Sequence, residues 1–255
     1  MLVLTRFSYF RFIFESLPIL SRSLALQDIE AFVKEAPTGL LAGIYALASP
    51  FTPWDEKLCL SSAYSKPSLD ALWKISYTCL QEELHFPRLS TIQIFLLLIN
   101  HGPLDTAVVE SPFVWTMAGS MLALAQSLGL NIDPTRWNLP LWEIRLRRRL
   151  WWAVVVKHSW RSIIHSRPSM LHNDDWAVPP LKPEDFVVDA NVSSLDVSHQ
   201  LPDYFMHFCS LTDCQLYMPA IFVSHFVVLM VDSTDITDTN VLLAAPCVLY
   251  LSNRH

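Results

Sequence analysis

Apolar residues recur along this chain at helical spacing, in blocks that prolines and glycines close. After an aromatic-rich stretch ending at Pro18, Leu26, Ile29, Phe32 and Val33 predict a helix over Ser23–Glu35, stopped before Pro37. Thr38–Ser49 reads as a short buried helix whose Gly39-x-x-x-Gly43 permits close helix contact. Further helices are predicted from Asp55 to Tyr64, from Ser68 to about Phe86, over Ser90–Asn100 and over Pro112–Leu128, the last closed by Gly129 in the position a C′ glycine prefers.

The longest uninterrupted pattern lies between Asn138 and Pro168. Asn138 suits an N-cap, Pro140 a first turn and Glu143 the positive helix end, and neither Gly nor Pro follows before Pro168. Its character changes midway. Arg145, Arg147, Arg148 and Arg149 give way to Leu150–Val156, seven consecutive apolar residues that no single helix face can hold. Such a run has to be covered on several sides, which predicts a central helix. Beyond Pro168 the texture becomes irregular, with Pro179, Pro180, Pro183 and Pro202 among Asp, Ser and Asn, before Asp203–Met218 returns to helix. Ile221–Val231 and Val241–Leu251 read equally as strand or helix. The predicted fold class is all-α: a multi-helix bundle around a long central helix, with an irregular C-terminal part. Its domain spans residues 1–218, followed by an atypical tail over 219–255.

Composition narrows this picture. Apolar residues make up 52% of the 255 and charged residues only 16%, yet no run reaches the ~18 uncharged apolar residues that a spanning helix needs. Arg6, Arg11 and Glu15 interrupt the N-terminal stretch, which argues against a signal peptide. The expectation is a protein with no membrane span. Charge is unevenly placed: residues 136–167 hold eight of the 18 Lys and Arg with one acid, Glu143, leaving −13 of the net −6 chain on the remainder. These cations share a helix with a buried apolar run. They are therefore expected to meet carboxylates of the same chain, Arg147, Arg148 and Arg149 taking Asp174, Asp175 or other acids of the following loop. Direct DNA binding by this stretch is not expected, since it lacks a broad basic face.

Candidate chemistry is sparse. Five dispersed glycines exclude a dinucleotide fingerprint or a P-loop. The five cysteines, odd in number and scattered, read as reduced core thiols. Cys209-x4-Cys214 with His207 and His225 lacks the usual knuckle spacing for zinc, so no metal site is predicted there. Asp174-Asp175 could serve Mg²⁺-dependent diphosphate chemistry, as an all-α enzyme acting on an apolar or prenyl substrate would require. A third carboxylate a helical turn onward is missing, however, because Val178 and Pro179 stand there. Clustered tryptophans, from Trp137 to Trp176, are expected in the core or lining an apolar ligand pocket.

Ser127-Leu-Gly-Leu-Asn-Ile-Asp-Pro134, Trp137-Asn-Leu-Pro140, Trp142-Glu-x-x-Leu-Arg-Arg-Arg-Leu-Trp-Trp152, Arg167-Pro168 and Asn173-Asp-Asp175 through Val178-Pro179 together resemble the fungal-specific transcription factor domain, the middle homology region of the binuclear zinc-cluster regulators. The match is ordered from about Ser90 to Phe186, and Thr91–Leu98 is similar to the family's opening helix. The resemblance implies a nuclear, non-catalytic regulatory domain acting through a small-molecule effector or partner contacts, including homo- or heterodimers with related factors. It marks Arg147, Arg148, Arg149, Trp151, Trp152, Arg167, Pro168, Asp174 and Asp175 as a structural and regulatory core. Family members read DNA through an N-terminal six-cysteine zinc cluster. No cysteine precedes Cys59 here, Ser166 replaces the family's usual Gly, and the tail beyond Tyr217 departs from the family pattern. The sequence thus predicts no cofactor of its own, DNA contact only through a missing cluster, and a chain shortened at both ends.

Overall fold

A computed structural model describes residues 8–27, 29–54, 68–101, 111–165, 167–187 and 202–217. The helices predicted for Asp55–Tyr64 and the segments of the 219–255 tail lie outside these residues. After a π-helical turn at Tyr9–Ile13 come α1 (Arg22–Gln27), α2 (Ile29–Glu35), α3 (Thr38–Ala48), α4 (Leu69–Glu83), α5 (Leu89–Ile99), α6 (Pro112–Ser127), α7 (Leu141–Ile164) and α8 (Asp203–Tyr217). Short 3-10 turns lie at Ser49–Trp54, Pro134–Arg136, Asn173–Asp175 and Pro183–Phe186. The chain is all-α: among the described residues the only β pairing is one bridge, Ile132 with Ala177.

The stretch 23–35, predicted as helix, is helical over both of its described parts, α1 and α2. One boundary differs from the prediction. The central helix starts at Leu141 rather than after an Asn138 cap. Pro140 occupies the capping position with ψ 146°, and its carbonyl accepts the N–H groups of Glu143 (3.0 Å) and Ile144 (3.1 Å). The physical reason is steric. A residue preceding proline is pushed out of the α region, so Leu139 cannot be helical and the ladder begins after Pro140. At its other end α7 stops at Ile164, three residues short of the Arg167–Pro168 pair, and the Arg167 N–H donates to the Ser162 carbonyl at 2.8 Å.

Packing explains why α7 is central. All seven residues from Leu150 to Val156 are at most 1% exposed. Helices α5, α6 and α8 and the turns at 134–136 and 183–186 lie against it. Elsewhere in the domain α3 and α4 form an extensive helix pair. A Cβ at Gly39 would stand 2.6 Å from the Cys79 Cβ, and one at Gly43 3.1 Å from the Ser76 Oγ. The two glycines therefore let the helix axes approach along one small-residue stripe. Where α6 ends, Gly129 has φ +69°, and the Gly129 and Leu130 N–H groups return to the carbonyls of Gln126 and Ala125 at 2.9 and 3.0 Å. This is a Schellman closure, which requires a left-handed residue at C′.

Candidate functional site

Successive helical residues point ~100° apart, so the three consecutive arginines of α7 fan out in different directions. Arg147 turns toward the end of α6. It pairs with Glu143 one turn back at 2.9 Å, donates Nη1 to the Leu128 carbonyl at 3.3 Å, and lies over the Trp137 ring at 5.2 Å. Arg148 reaches the Asp185 carboxylate at 2.9 Å and, less closely, Asp133 at 3.6 Å. Arg149 is 4% exposed and makes no carboxylate hydrogen bond among the described residues. Instead Nε donates to the Pro18 carbonyl at 3.0 Å, Nη2 to that of Leu20 at 3.1 Å, and Nη1 to that of Asp185. Burial pulls its pKa down to about 10, opposed by the nearby Asp185 charge.

Of the acids expected to meet the arginines, Asp174, Asp175 or others of the following loop, it is one of the others that does so. Asp174 and Asp175 sit exposed in the 173–175 turn, and no ion pair of the described residues involves them. The loop carboxylate that meets Arg148 is Asp185, ten residues beyond Asp175 and buried. Exposed carboxylates keep their hydration, whereas Asp185 is held by the Arg148 guanidinium and by the Lys182 N–H at 2.9 Å. Its three-residue offset from Lys182 has the spacing of a capping interaction, a signal available in the sequence. Nothing there indicated which arginine would find it.

The partners of Arg149 belong to a segment that sequence periodicity does not single out. Leu17-Pro18-Ile19-Leu20 has no regular structure and is buried throughout. Each of its four carbonyls accepts from a side chain: Leu17 from the Tyr9 hydroxyl, Pro18 and Leu20 from Arg149, and Ile19 from Gln93 Nε2 of α5 at 2.7 Å. Burial raises the pKa of Tyr9, so its hydroxyl remains a donor. Non-helical backbone in a core must find donors outside its own ladder, and these three side chains supply them.

Past the arginines, Trp151 and Trp152 are fully buried. Trp176 closes over both, at ring-centroid distances of 6.0 and 5.3 Å, and the Trp152 Nε1 donates to the Pro179 carbonyl at 2.9 Å. Asn131 fixes Trp176 from either side, donating Nδ2 to the Asp175 carbonyl and accepting the Ala177 N–H, both at 2.9 Å. The tryptophans therefore close the 173–179 loop onto the central helix. Nearly two turns further along α7, His158 is buried, stacks on Trp115 at 5.2 Å and accepts the Met170 N–H through Nε2 at 3.0 Å. Burial lowers its pKa to about 4. Arg167 lies over the other partner of that stack, Trp115, at 5.2 Å, while Pro168 is exposed. Among the described residues no group of three His, Cys, Asp or Glu could hold a metal ion, and no helix is long and apolar enough to cross a membrane.

The fungal specific transcription factor domain matches residues 8–236, and the chain belongs to that family. The match runs past residue 218, where the sequence reading ended the domain. An uncharacterized transcriptional regulatory protein of Schizosaccharomyces pombe is 32% identical over 69% of this chain and 26% of its own length. The transcriptional activator protein DAL81 of Saccharomyces cerevisiae is 32% identical over 71% of this chain and 18% of its own. Cutinase transcription factor 1 alpha of Fusarium vanettenii is 22% identical over 71% of the chain and 20% of its own. The chain thus spans about a quarter or less of the length of these relatives. No solved structure matches it.

Proposed function

We propose that this domain is the non-catalytic regulatory part of a nuclear transcription regulator, and that it controls activation by answering an effector or a partner rather than by touching DNA. One observation carries the reading. The cations that a DNA-binding surface would present, Arg147, Arg148 and Arg149, are committed to Glu143, Asp133, Asp185 and four main-chain carbonyls. That tally includes the second Arg147 bond, to Leu128, and leaves no guanidinium of the three facing an open groove. Recognition of DNA then belongs to a zinc cluster elsewhere in a full-length regulator, and this domain needs no cofactor of its own. Residues 1–218 act as the regulatory unit, with Arg147–Arg149, Trp151 and Trp152 as its core and the Arg167–Pro168 pair at its edge. The relatives are transcriptional regulators, which supports this reading over a prenyl-substrate enzyme.

The test is a fusion of the whole chain to a heterologous DNA-binding module upstream of a reporter in a fungal host. Reporter output that changes relative to the module alone, and changes again in a variant that loosens the arginine core, supports the proposal. Output identical to the module alone in every growth condition contradicts it. Tight sequence-independent DNA binding by the isolated chain, with a steep salt dependence, would contradict it from the other side.

A further inference from the structure

One guanidinium joins two distant segments, and their exposure differs. Arg149 holds Pro18 and Leu20 through Nε and Nη2, and the Asp185 carbonyl through Nη1. The first pair lies in the buried 17–20 segment, whereas Pro183 and Glu184 of the 183–186 turn, and Lys182 and Val187 beside it, are exposed. The turn itself is anchored from beneath. Phe186 is buried within cation–π range of Arg149 at 5.8 Å, and Asp185 is gripped by Arg148 and by the Lys182 N–H.

We propose that Arg149 couples the exposed 183–186 turn to the buried Leu17–Leu20 segment, so that an event lifting the turn loosens the N-terminal segment from the central helix. The physical basis is shared occupancy of one buried cation. With the Asp185 carbonyl in place, the planar fork is fixed and two of its edges face Pro18 and Leu20. Once that carbonyl leaves, a desolvated guanidinium has lost a donor–acceptor pair and its nearest carboxylate neighbour. It gains more by turning toward the opening and its water than by holding the strap. Gln93 and Tyr9 then hold Ile19 and Leu17 alone. The turn is thereby a surface handle on an interior contact, and the domain carries a route from its exterior to its N-terminal entry. Coupling of this kind has to be reciprocal.

Hydrogen exchange of the full chain tests it. In Asp185→Ala, which frees the turn from Arg148 and from the Lys182 cap, the amides of Ile19 and Leu20 are expected to exchange about tenfold faster, the equivalent of one lost charge-assisted hydrogen bond. Amides of the α3–α4 pair keep their rates. Asp133→Ala removes the other carboxylate near Arg148 and leaves the strap unchanged. Should Asp185→Ala accelerate every amide together, the reverse arm decides. Gln93→Leu removes the Ile19 donor and is expected to speed the Asp185 and Val187 amides of the turn. Faster turn exchange with an unmoved strap in the first variant, or an unmoved turn in the second, overturns the proposal.

Discussion

Arg149 donates Nε to the main-chain oxygen of Pro18 at 3.0 Å, across 131 positions of sequence. The bond makes the first described residues part of the core around α7 instead of an appended leader. Replacing Arg149 with Met keeps the apolar stem and strands three buried carbonyls, each ordinarily worth ~1–3 kcal/mol. Partial rehydration returns some of that, so a loss of roughly 3–5 kcal/mol is expected in chemical denaturation. Arg149→Lys keeps the charge but loses the planar fork, and is expected to fall between that variant and the parent. An unchanged denaturation midpoint for Met would refute the clamp.

Asp185 and the acids of the 173–175 turn separate cleanly. The Asp185 side chain is 5% exposed and its partner Arg148 14%, so Asp185→Ala leaves a buried cation uncompensated at a cost of roughly 3–5 kcal/mol. Asp133 is 35% exposed at 3.6 Å from Arg148, and its removal is expected to cost under about 1 kcal/mol. Asp174→Ala and Asp175→Ala should stay within about 0.5 kcal/mol, as exposed substitutions do. Thermal melts of the four variants give the order directly. A large effect at Asp174 and a small one at Asp185 would reverse the assignment.

The α3–α4 contact makes a steric prediction. Gly39→Ala brings a methyl within 2.6 Å of the Cys79 Cβ and 3.1 Å of the Ile94 Cδ1. Ala is the better helix former by up to ~1 kcal/mol, but overpacking against backbone-proximal atoms costs ~1–3 kcal/mol. Net destabilisation is therefore expected. Gly43→Ala meets the Leu97 Cδ1 at 3.0 Å and the Ser76 Oγ at 3.1 Å, side-chain ends that can yield, so its effect should be smaller. Removing the obstructing Cβ with Cys79→Gly in the Gly39→Ala background should give a favourable coupling in a double-mutant cycle. Simple additivity would show that the stripe does not set the helix distance.

His158 predicts an acid limit to stability. Its folded pKa of about 4 lies below the ordinary 6.5 because burial penalises the charged ring. The unfolded chain then binds the extra proton between those values, so stability falls as pH drops from 6.5 toward 4 and this contribution is flat below. The full swing is about 3 kcal/mol. In His158→Gln, whose side-chain oxygen can still accept the Met170 N–H, the slope of stability against pH over that window should flatten. An identical slope in both proteins would assign the acid sensitivity to other groups.

Much of this domain was legible before any coordinates. Helical periodicity with proline and glycine breaks located α3, α4, α5, α6 and α8 to within three residues at each end, because those signals are local and each acts through backbone sterics. Seven apolar residues in a row placed α7 at the centre, since every face of that stretch had to be covered. Gly129 marked the end of α6 for an equally local reason, its left-handed φ. The glycine pair of α3 also forecast a close contact, although not its partners Ser76 and Cys79.

Tertiary structure alone decided what the cations meet. Helix phase fixes the direction in which Arg147, Arg148 and Arg149 leave the axis, but not which loop crosses their path. Asp174 and Asp175 were the first acids of the following loop and the named candidates, yet it is Asp185, further along that loop, that takes Arg148. For Arg149 the partners carry no side-chain signature at all, being main-chain oxygens that every residue possesses. A one-dimensional pattern records which groups are polar; only the folded path of residues 17–20 and 182–187 brings particular oxygens to a buried guanidinium.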